Sequence, residues 1–217
     1  MSNPPAPMPD ERTEPGGRPE PQLHGRPAPA DEARPRGATA RSSERSRLAG
    51  VIVVGIFAIG WGQWGASGLP KSTSPIVRIL VIALGLMTVI RANQLRRSAA
   101  DDADSTFPSR EYITLVAAEV AALMVGAVVL GQVGEPAYIA PWIAWVVGVH
   151  FLVFARRFAW RDNFAGAGLI MAAAAGAITV AAGGGRHHGQ AVTGLIAAAA
   201  LLVTGAMRLS RARKAAH

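Results

Sequence analysis

The most prominent pattern in this sequence is a succession of six apolar segments, each close to twenty residues long, separated by polar turns. Apolar residues follow one another within a segment, without the alternation of a barrel strand. A helix needs roughly 20 residues to cross the bilayer core. The pattern predicts an all-α polytopic membrane protein, a bundle of six transmembrane helices arranged as three hairpins. The predicted spans are residues 48–65, 75–90, 111–133, 137–154, 163–183 and 191–207.

A soluble helical protein explains these segments less well. Core helices of soluble proteins carry a charged face, whereas the last two segments here contain no charged residue. Residues 1–47 contain no apolar run, so no signal peptide is predicted. The first span is therefore expected to act as its own insertion signal.

Two polar tails flank the predicted transmembrane domain, which covers residues 48–208. Residues 1–47 are rich in Pro, Arg, Glu, Gly and Ala, and cannot bury enough surface to offset their ordering entropy. We expect a disordered cytoplasmic tail, whose prolines also suit docking to a protein partner. Residues 209–217 form a basic cytoplasmic tail, and the acidic insert at 98–110 is expected to be a flexible loop.

The basic residues are concentrated at alternate ends of the spans. Arginines precede the first span and follow the second, fourth and sixth, whereas the alternate connections carry only Lys71 and Arg186. Because cytoplasmic loops retain Lys and Arg, both termini are predicted to be cytoplasmic. Four tryptophans are predicted to form an aromatic belt at the outer interface. They are Trp61, Trp64, Trp142 and Trp145.

Retention of basic residues on the cytoplasmic side also explains the net charge of +8. A nucleic-acid-binding surface needs basic residues clustered on a soluble domain, whereas these are spread along one membrane face. The predicted partner is the bilayer itself, through anionic headgroups, and no nucleic acid is expected. Richness in Ala, Gly, Arg and Pro suggests a bacterial cytoplasmic membrane.

The chain contains no cysteine, which excludes disulfides and thiolate chemistry. Helix packing must therefore hold the fold, and small residues recur at every fourth position in two spans. These stripes let helices approach closely, within one chain or in a homo-oligomer. They comprise Ala118, Ala122 and Gly126 in the third span and Gly168, Ala172 and Gly176 in the fifth.

The ionisable residues Arg78, Glu119 and His150 lie within or near the edges of the predicted spans, where charge is costly and often functional. Arg78 is close to the outer edge, where its long side chain can reach the interface or lie near Trp61 or Trp64. Glu119 and His150 belong to an antiparallel hairpin that turns near residues 134 and 135. Two residues that are equally distant from this turn, one on each helix, lie at the same depth, and their numbers sum to 269. Glu119 and His150 form such a pair.

Two interpretations of Glu119 and His150 remain open at this point. In one, a hydrogen-bonded pair locks the hairpin. In the other, the acid and the imidazole form a proton or ion pathway. Both interpretations require the side chains to face each other around their helix axes.

Two short motifs in the sequence suggest catalytic interpretations. GASG at residues 65–68 matches the Gly-x-Ser-Gly motif of rhomboid intramembrane proteases, which makes Ser67 a remote candidate nucleophile. That family places its serine at the start of a middle span, whereas Ser67 closes the first one. His187 and His188 lack a nearby third ligand, so no metal site is predicted. No cofactor and no catalytic residue are predicted.

A family resemblance accompanies these patterns. PWIAWVVGVHFLVFARRF at residues 141–158 is similar to a segment of small uncharacterised bacterial inner-membrane proteins, and the hairpin layout resembles HdeD-like six-span proteins. The segment resemblance implies no known activity, and the HdeD-like layout is typical of stress-associated proteins. The sequence as a whole predicts a non-catalytic membrane protein with a stress-related or scaffold role. The alternative is a small proton-coupled transporter or channel that uses Glu119 and His150.

Overall fold

The computed structural model of the protein describes residues 36–98, 110–157 and 164–215. The described residues form six α-helices, and no β-strand occurs among them, so the predicted all-α class is confirmed for this part of the chain. The helices are α1 (Arg36–Ala66), α2 (Ser74–Ser98), α3 (Arg110–Gln132), α4 (Ile139–Arg157), α5 (Phe164–Thr179) and α6 (Gly185–Ala215).

Five helical stretches are long and apolar enough to cross a membrane. Four of them correspond to α1 through α4, and the fifth, Phe164–Lys214, contains both α5 and α6. A π-helical turn at Val180–Gly184 joins these two helices, and Gly183 and Gly185 have φ angles of 87° and 64°. A right-handed helix cannot continue through such backbone angles. The chain therefore reverses there, and α5 and α6 pack against each other in antiparallel orientation.

The helices extend beyond the predicted apolar spans. α1 begins at Arg36, directly after Pro35, and α6 continues to Ala215, so the helical chain enters both segments predicted to be tails. Charged residues end the apolar pattern, but they do not interrupt helical hydrogen bonding, because Arg, Ala and Lys are good helix formers. The remainder of the predicted tail, residues 1–35, and the predicted loop at 99–109 lie outside the described residues.

The buried core is shared by α1, α4, α5 and α6. Alanine dominates it, and Leu169 and Leu201 are the largest fully buried side chains. Small side chains let the helix axes approach closely, so that backbone atoms of neighbouring helices contact each other directly. The core residues are Val54, Ala58, Trp61, Ala144, Val147, Ala165, Leu169, Ala172, Ala173, Ala197, Ala198 and Leu201.

The helices α2 and α3 flank this core on the outside. α2 packs against α1, where Gly62 meets Val81, and against α6, where Gly205 meets Thr88. Because α1 is antiparallel to both neighbours, α2 and α6 are parallel to each other. α3 packs on α4, and none of residues 113–132 is buried. The interface between α3 and α4 therefore lies at the periphery of the bundle.

Candidate functional site

The α3–α4 hairpin is held in register by a tight turn and one tryptophan. Gly134 has a φ of 80°, and the backbone N–H of Glu135 donates to the carbonyl of Leu130 at 2.8 Å. Trp142 Nε1 donates to the carbonyl of Ala122 at 3.3 Å, and its ring lies directly over Gly126. Two members of the predicted small-residue stripe on α3 thus face α4.

This register brings Glu119 and His150 into contact. Glu119 Oε2 lies 3.1 Å from His150 Nδ1, and the two side chains are 17% and 14% exposed, respectively. Each residue is six positions from the end of its apolar stretch, at Ile113 in α3 and Arg156 in α4. At 1.5 Å per residue, both lie roughly 9 Å inside that stretch. The sequence places these residues at one depth, and the structure places them face to face.

Glu119 Oε2 is the charged partner of the His150 ring, at ion-pair distance from Nδ1. Nδ1 is buried, and no atom among the described residues completes an aligned hydrogen bond to it. Its approach to Glu119 is therefore a contact at ion-pair distance, without the near-linear N–H direction that a strong hydrogen bond requires.

Two phenylalanines of α4 enclose the imidazole. The ring of Phe154, one helical turn further along, stacks on that of His150 with centroids 6.0 Å apart and planes 19° apart. Phe151 contacts the imidazole with its ring nearly perpendicular, at a centroid distance of 6.3 Å. These rings shield His150 from polar surroundings, which strengthens its electrostatic interaction with Glu119.

The pair can exchange a proton between two arrangements of equal total charge. One arrangement is a carboxylate beside an imidazolium, and the other is a neutral carboxyl beside a neutral imidazole. The imidazole can also accept a proton on one nitrogen while it releases another from the second nitrogen. The residues Glu119 and His150 thus have the chemistry either of a proton relay or of a reversible lock between α3 and α4.

The predicted tryptophan belt lies at the opposite end of the helices from the basic termini of α2 and α6. Trp61 and Trp64 have ring centroids 5.5 Å apart, and those of Trp142 and Trp145 are 5.6 Å apart. The end of α1 meets the beginnings of α4 and α6 around a cavity of about 20 Å³, room for a single water molecule. The lining residues are Trp64, Pro136, Ala137, Ile139, Ala140, Arg186 and Gln190.

Ser67 belongs to a polar contact between α1 and α6. Its Oγ donates to the carbonyl of Trp64 at 2.6 Å and accepts from Gln190 Nε2 at 2.7 Å. Gln190 Nε2 also donates to the Trp64 carbonyl at 2.9 Å, although its own side chain is almost completely buried. Sequence analysis missed Gln190, and its signal is an amide side chain directly before the predicted span 191–207.

The remaining candidates lie on exposed surfaces near the same end. Arg78 is exposed, and its backbone carbonyl accepts from Gln63 Nε2 at 3.0 Å. His187 and His188 are exposed, and His188 Nδ1 is 2.6 Å from the Gly184 carbonyl oxygen. Across the described ranges, no group of three or more His, Cys, Asp or Glu side chains is arranged to hold a metal ion.

Comparison with protein-family models, with curated proteins and with solved structures found no match to this chain. Function is therefore inferred from the contacts between its own residues. Of these, the contact between Glu119 and His150 combines ionisable chemistry with an apolar location.

Proposed function

We propose that the protein is a small proton-coupled transporter or channel of a bacterial cytoplasmic membrane, with Glu119 and His150 as its proton relay. The observation that carries the proposal is the 3.1 Å approach of Glu119 Oε2 to His150 Nδ1 within two long apolar helices. Ionisable groups in such positions are costly and are retained chiefly where they serve ion or proton movement.

The proposed topology has six spans, because α5 and α6 each cross the bilayer. Both termini then lie in the cytoplasm, together with the arginine-rich ends of α2 and α6 at residues 91–97 and 208–214. The opposite end carries only Lys71 and Arg186 on its connections, which agrees with retention of basic residues in the cytoplasm. In this orientation the pair lies in the cytoplasmic half of the membrane.

In the proposed relay, a proton that arrives at one side of the pair is matched by a proton that leaves from the other side. Between these events a proton moves between Glu119 Oε2 and His150 Nδ1, and the total charge of the pair is restored in each cycle. Neutrality matters because a net charge at this depth costs several kcal/mol. The contact at 3.1 Å suits a relay, since the carboxylate and the imidazole are close enough to pass a proton. Phe154 stacks on the imidazole from the following helical turn and limits access from the cytoplasmic end.

A second candidate is a non-catalytic scaffold or stress-related membrane protein, as the HdeD-like layout implies. The outward faces of α2 and α3 favour it, because they expose large apolar side chains suited to contact with lipid or other helices. In this case the Glu119–His150 contact locks the hairpin and carries no flux. The two candidates differ in one measurable property, which is proton movement.

The decisive experiment measures proton flux into proteoliposomes under an imposed pH gradient and a clamped potential. Wild type is compared with Glu119→Gln, His150→Gln and empty vesicles. Under the proposal, wild type conducts above empty vesicles, and each variant falls to the empty-vesicle level. Glutamine keeps the size of glutamate and the polarity of both side chains but cannot exchange protons.

Matched controls separate the relay from general loss of charge. Glu135→Gln and His188→Gln remove the same groups from exposed positions, in the α3–α4 turn and at the start of α6, and should conduct like wild type. Circular dichroism and size-exclusion chromatography establish that each variant is folded. Wild-type vesicles without flux above background would contradict the relay and leave the scaffold as the better account.

A further inference from the structure

An open groove of 470 Å³ runs along α4 between α3 and α5. We refer to it as the α4 groove. On α4 it is lined by Tyr138, Trp142 and Trp145, which recur at steps of four and three residues and therefore share one helix face. Ala174 and Ala177 of α5 line the adjoining side. The volume is within the range of about 300–1,000 Å³ that is usual for small-molecule sites.

The difference in side-chain size between the two helices creates this groove. Large aromatic rings project from α4, whereas only methyl groups project from the alanines of α5. The rings of Trp142 and Trp145 have centroids 5.6 Å apart and planes 28° apart, so they form a continuous aromatic surface. Trp145 is 47% exposed, which leaves part of that surface open to an incoming molecule. Because the faces of aromatic rings attract cations, the surface favours a positively charged aromatic ligand.

The α4 groove leads toward Glu119. Leu130 lines the groove on α3 and lies eleven residues from Glu119, which is close to three complete turns. The two residues therefore belong to the same face of α3. Trp142 lines the groove as well, and its Nε1 donates to the carbonyl of Ala122, within one helical turn of Glu119. The aromatic surface thus extends to the neighbourhood of the relay carboxylate.

The distribution of charge in this region suits a cation. Among the described residues, no lysine or arginine lines the groove. Within residues 113–132 and 139–155 the sequence contains no Asp, Glu, His, Lys or Arg other than Glu119 and His150. Trp145 lies five residues before His150, roughly 7 Å along the axis of α4. A cation on Trp145 is therefore drawn toward the Glu119 carboxylate, because apolar surroundings screen the attraction little.

We propose that the α4 groove binds a lipophilic aromatic cation, whose rings lie against Trp142 and Trp145 and whose charge is neutralised by Glu119. This inference rests on the proposed function, because it gives the proton-coupled transporter its class of substrate. When the cation binds, one proton leaves the Glu119–His150 pair for water. Carboxylate, neutral imidazole and cation then carry no net charge together, so cation and proton exchange one for one.

The test uses the full chain, purified in a neutral detergent, and two probe ions of nearly equal shape. Tetraphenylphosphonium is the cation, and tetraphenylborate is the anion. Isothermal titration calorimetry measures the affinity for each ion, and a pH indicator in weakly buffered solution measures the protons released. Wild type should bind the phosphonium in preference to the borate and release one proton for each phosphonium ion bound.

Substitution of the carboxylate tests the charge of the site. Glu119→Gln should weaken phosphonium binding at least about 30-fold and abolish proton release, because it removes one partner of a poorly solvated charge pair. Glu119→Asp keeps the charge and should keep most of the affinity. Glu135→Gln removes an exposed carboxylate from the α3–α4 turn and should bind like wild type. Circular dichroism establishes that each variant is folded.

Substitution of the ring tests the aromatic surface. Trp145→Ala should weaken phosphonium binding about 5–30-fold, through loss of a cation–π contact that is shielded from water. Phe57→Ala is the matched control, because it removes a ring of similar exposure, 44%, from α1 outside the groove. Its affinity for the phosphonium should equal that of wild type.

Equal affinity for the phosphonium and the borate, or unchanged affinity in Glu119→Gln, would show that the groove offers apolar contact only and would overturn the proposal. Binding is measured without a membrane, so its outcome is separate from that of proton flux. Cation binding by a protein that moves no protons in vesicles, with or without the phosphonium, would support the site and contradict the transporter. Proton flux without cation binding would keep the relay and overturn the groove as its substrate site.

Discussion

The backbones of Gly65 in α1 and Gly194 in α6 are in direct contact. A Cβ atom at Gly194 would lie 2.5 Å from Gly65 Cα and 2.8 Å from the carbonyl oxygen of Trp61. Real Cβ atoms do not occupy such positions, so the helices can cross here only because both residues are glycine. This crossing brings Gln190 within reach of the Trp64 carbonyl.

Gly194→Ala should therefore separate α1 from α6. We expect a loss of about 1–3 kcal/mol in the free energy of unfolding, because the added methyl group meets backbone that cannot move aside. Denaturation in mixed micelles measures the effect. Gly60→Ala is the control, because nothing lies within 4 Å of a Cβ at that position. Equal destabilisation by both substitutions would show that loss of helix flexibility, and not contact, is responsible.

Gly126→Ala should weaken the Glu119–His150 contact, although residue 126 contacts neither side chain. The new methyl group would meet the Trp142 ring, push α3 from α4 and weaken the bond from Trp142 Nε1 to the Ala122 carbonyl. Tryptophan fluorescence should shift, and any proton flux that depends on the pair should fall. Gly131→Ala lies on the same helix with open space around it and should leave both signals unchanged.

Gln190→Leu should cost about 1–3 kcal/mol of unfolding free energy, the usual penalty for buried polar groups that lose their partner. The substitution removes both hydrogen bonds from Nε2, to Ser67 Oγ and to the Trp64 carbonyl. Gln63→Leu removes a single, exposed bond to the Arg78 carbonyl and should cost less. Similar losses in the same denaturation assay would contradict the structural importance of the buried amide.

The Glu119–His150 contact predicts a coupling energy in a double-mutant cycle. Glu119→Gln, His150→Gln and the double variant should give a coupling of about 0.5–3 kcal/mol in unfolding free energy, the range for residues in contact. A coupling near zero would show that neither side chain depends on the other. The cycle tests the contact itself, whereas proton flux tests its use.

Cysteine labelling tests the proposed topology directly, because the chain has no native cysteine. Lys71→Cys should react with a membrane-impermeant maleimide from outside intact spheroplasts. Arg213→Cys should react only after the membrane is opened, since the basic ends are expected in the cytoplasm. The reverse pattern would contradict the proposed orientation, and labelling of both positions from outside would contradict the six-span count.

Much of this fold follows from local sequence signals. The apolar segments predict the helices, because burial of a continuous apolar stretch favours closed backbone hydrogen bonding. The residues at which the outermost helices begin and end do not follow from the apolar pattern. α1 is helical from Arg36 onwards, twelve residues before the first predicted span, because helix propagates through charged residues. An apolar pattern alone cannot place such a boundary.

The sequence by itself determined the shared depth of Glu119 and His150, since the turn near Gly134 and a constant rise per residue suffice for that inference. Only the tertiary structure decided that the side chains meet. Rotation about a helix axis depends on contacts between distant residues, such as Trp142 over Gly126. For the same reason, the bond between Gln190 and Ser67, 123 residues apart, exists only because Gly65 and Gly194 let their helices touch.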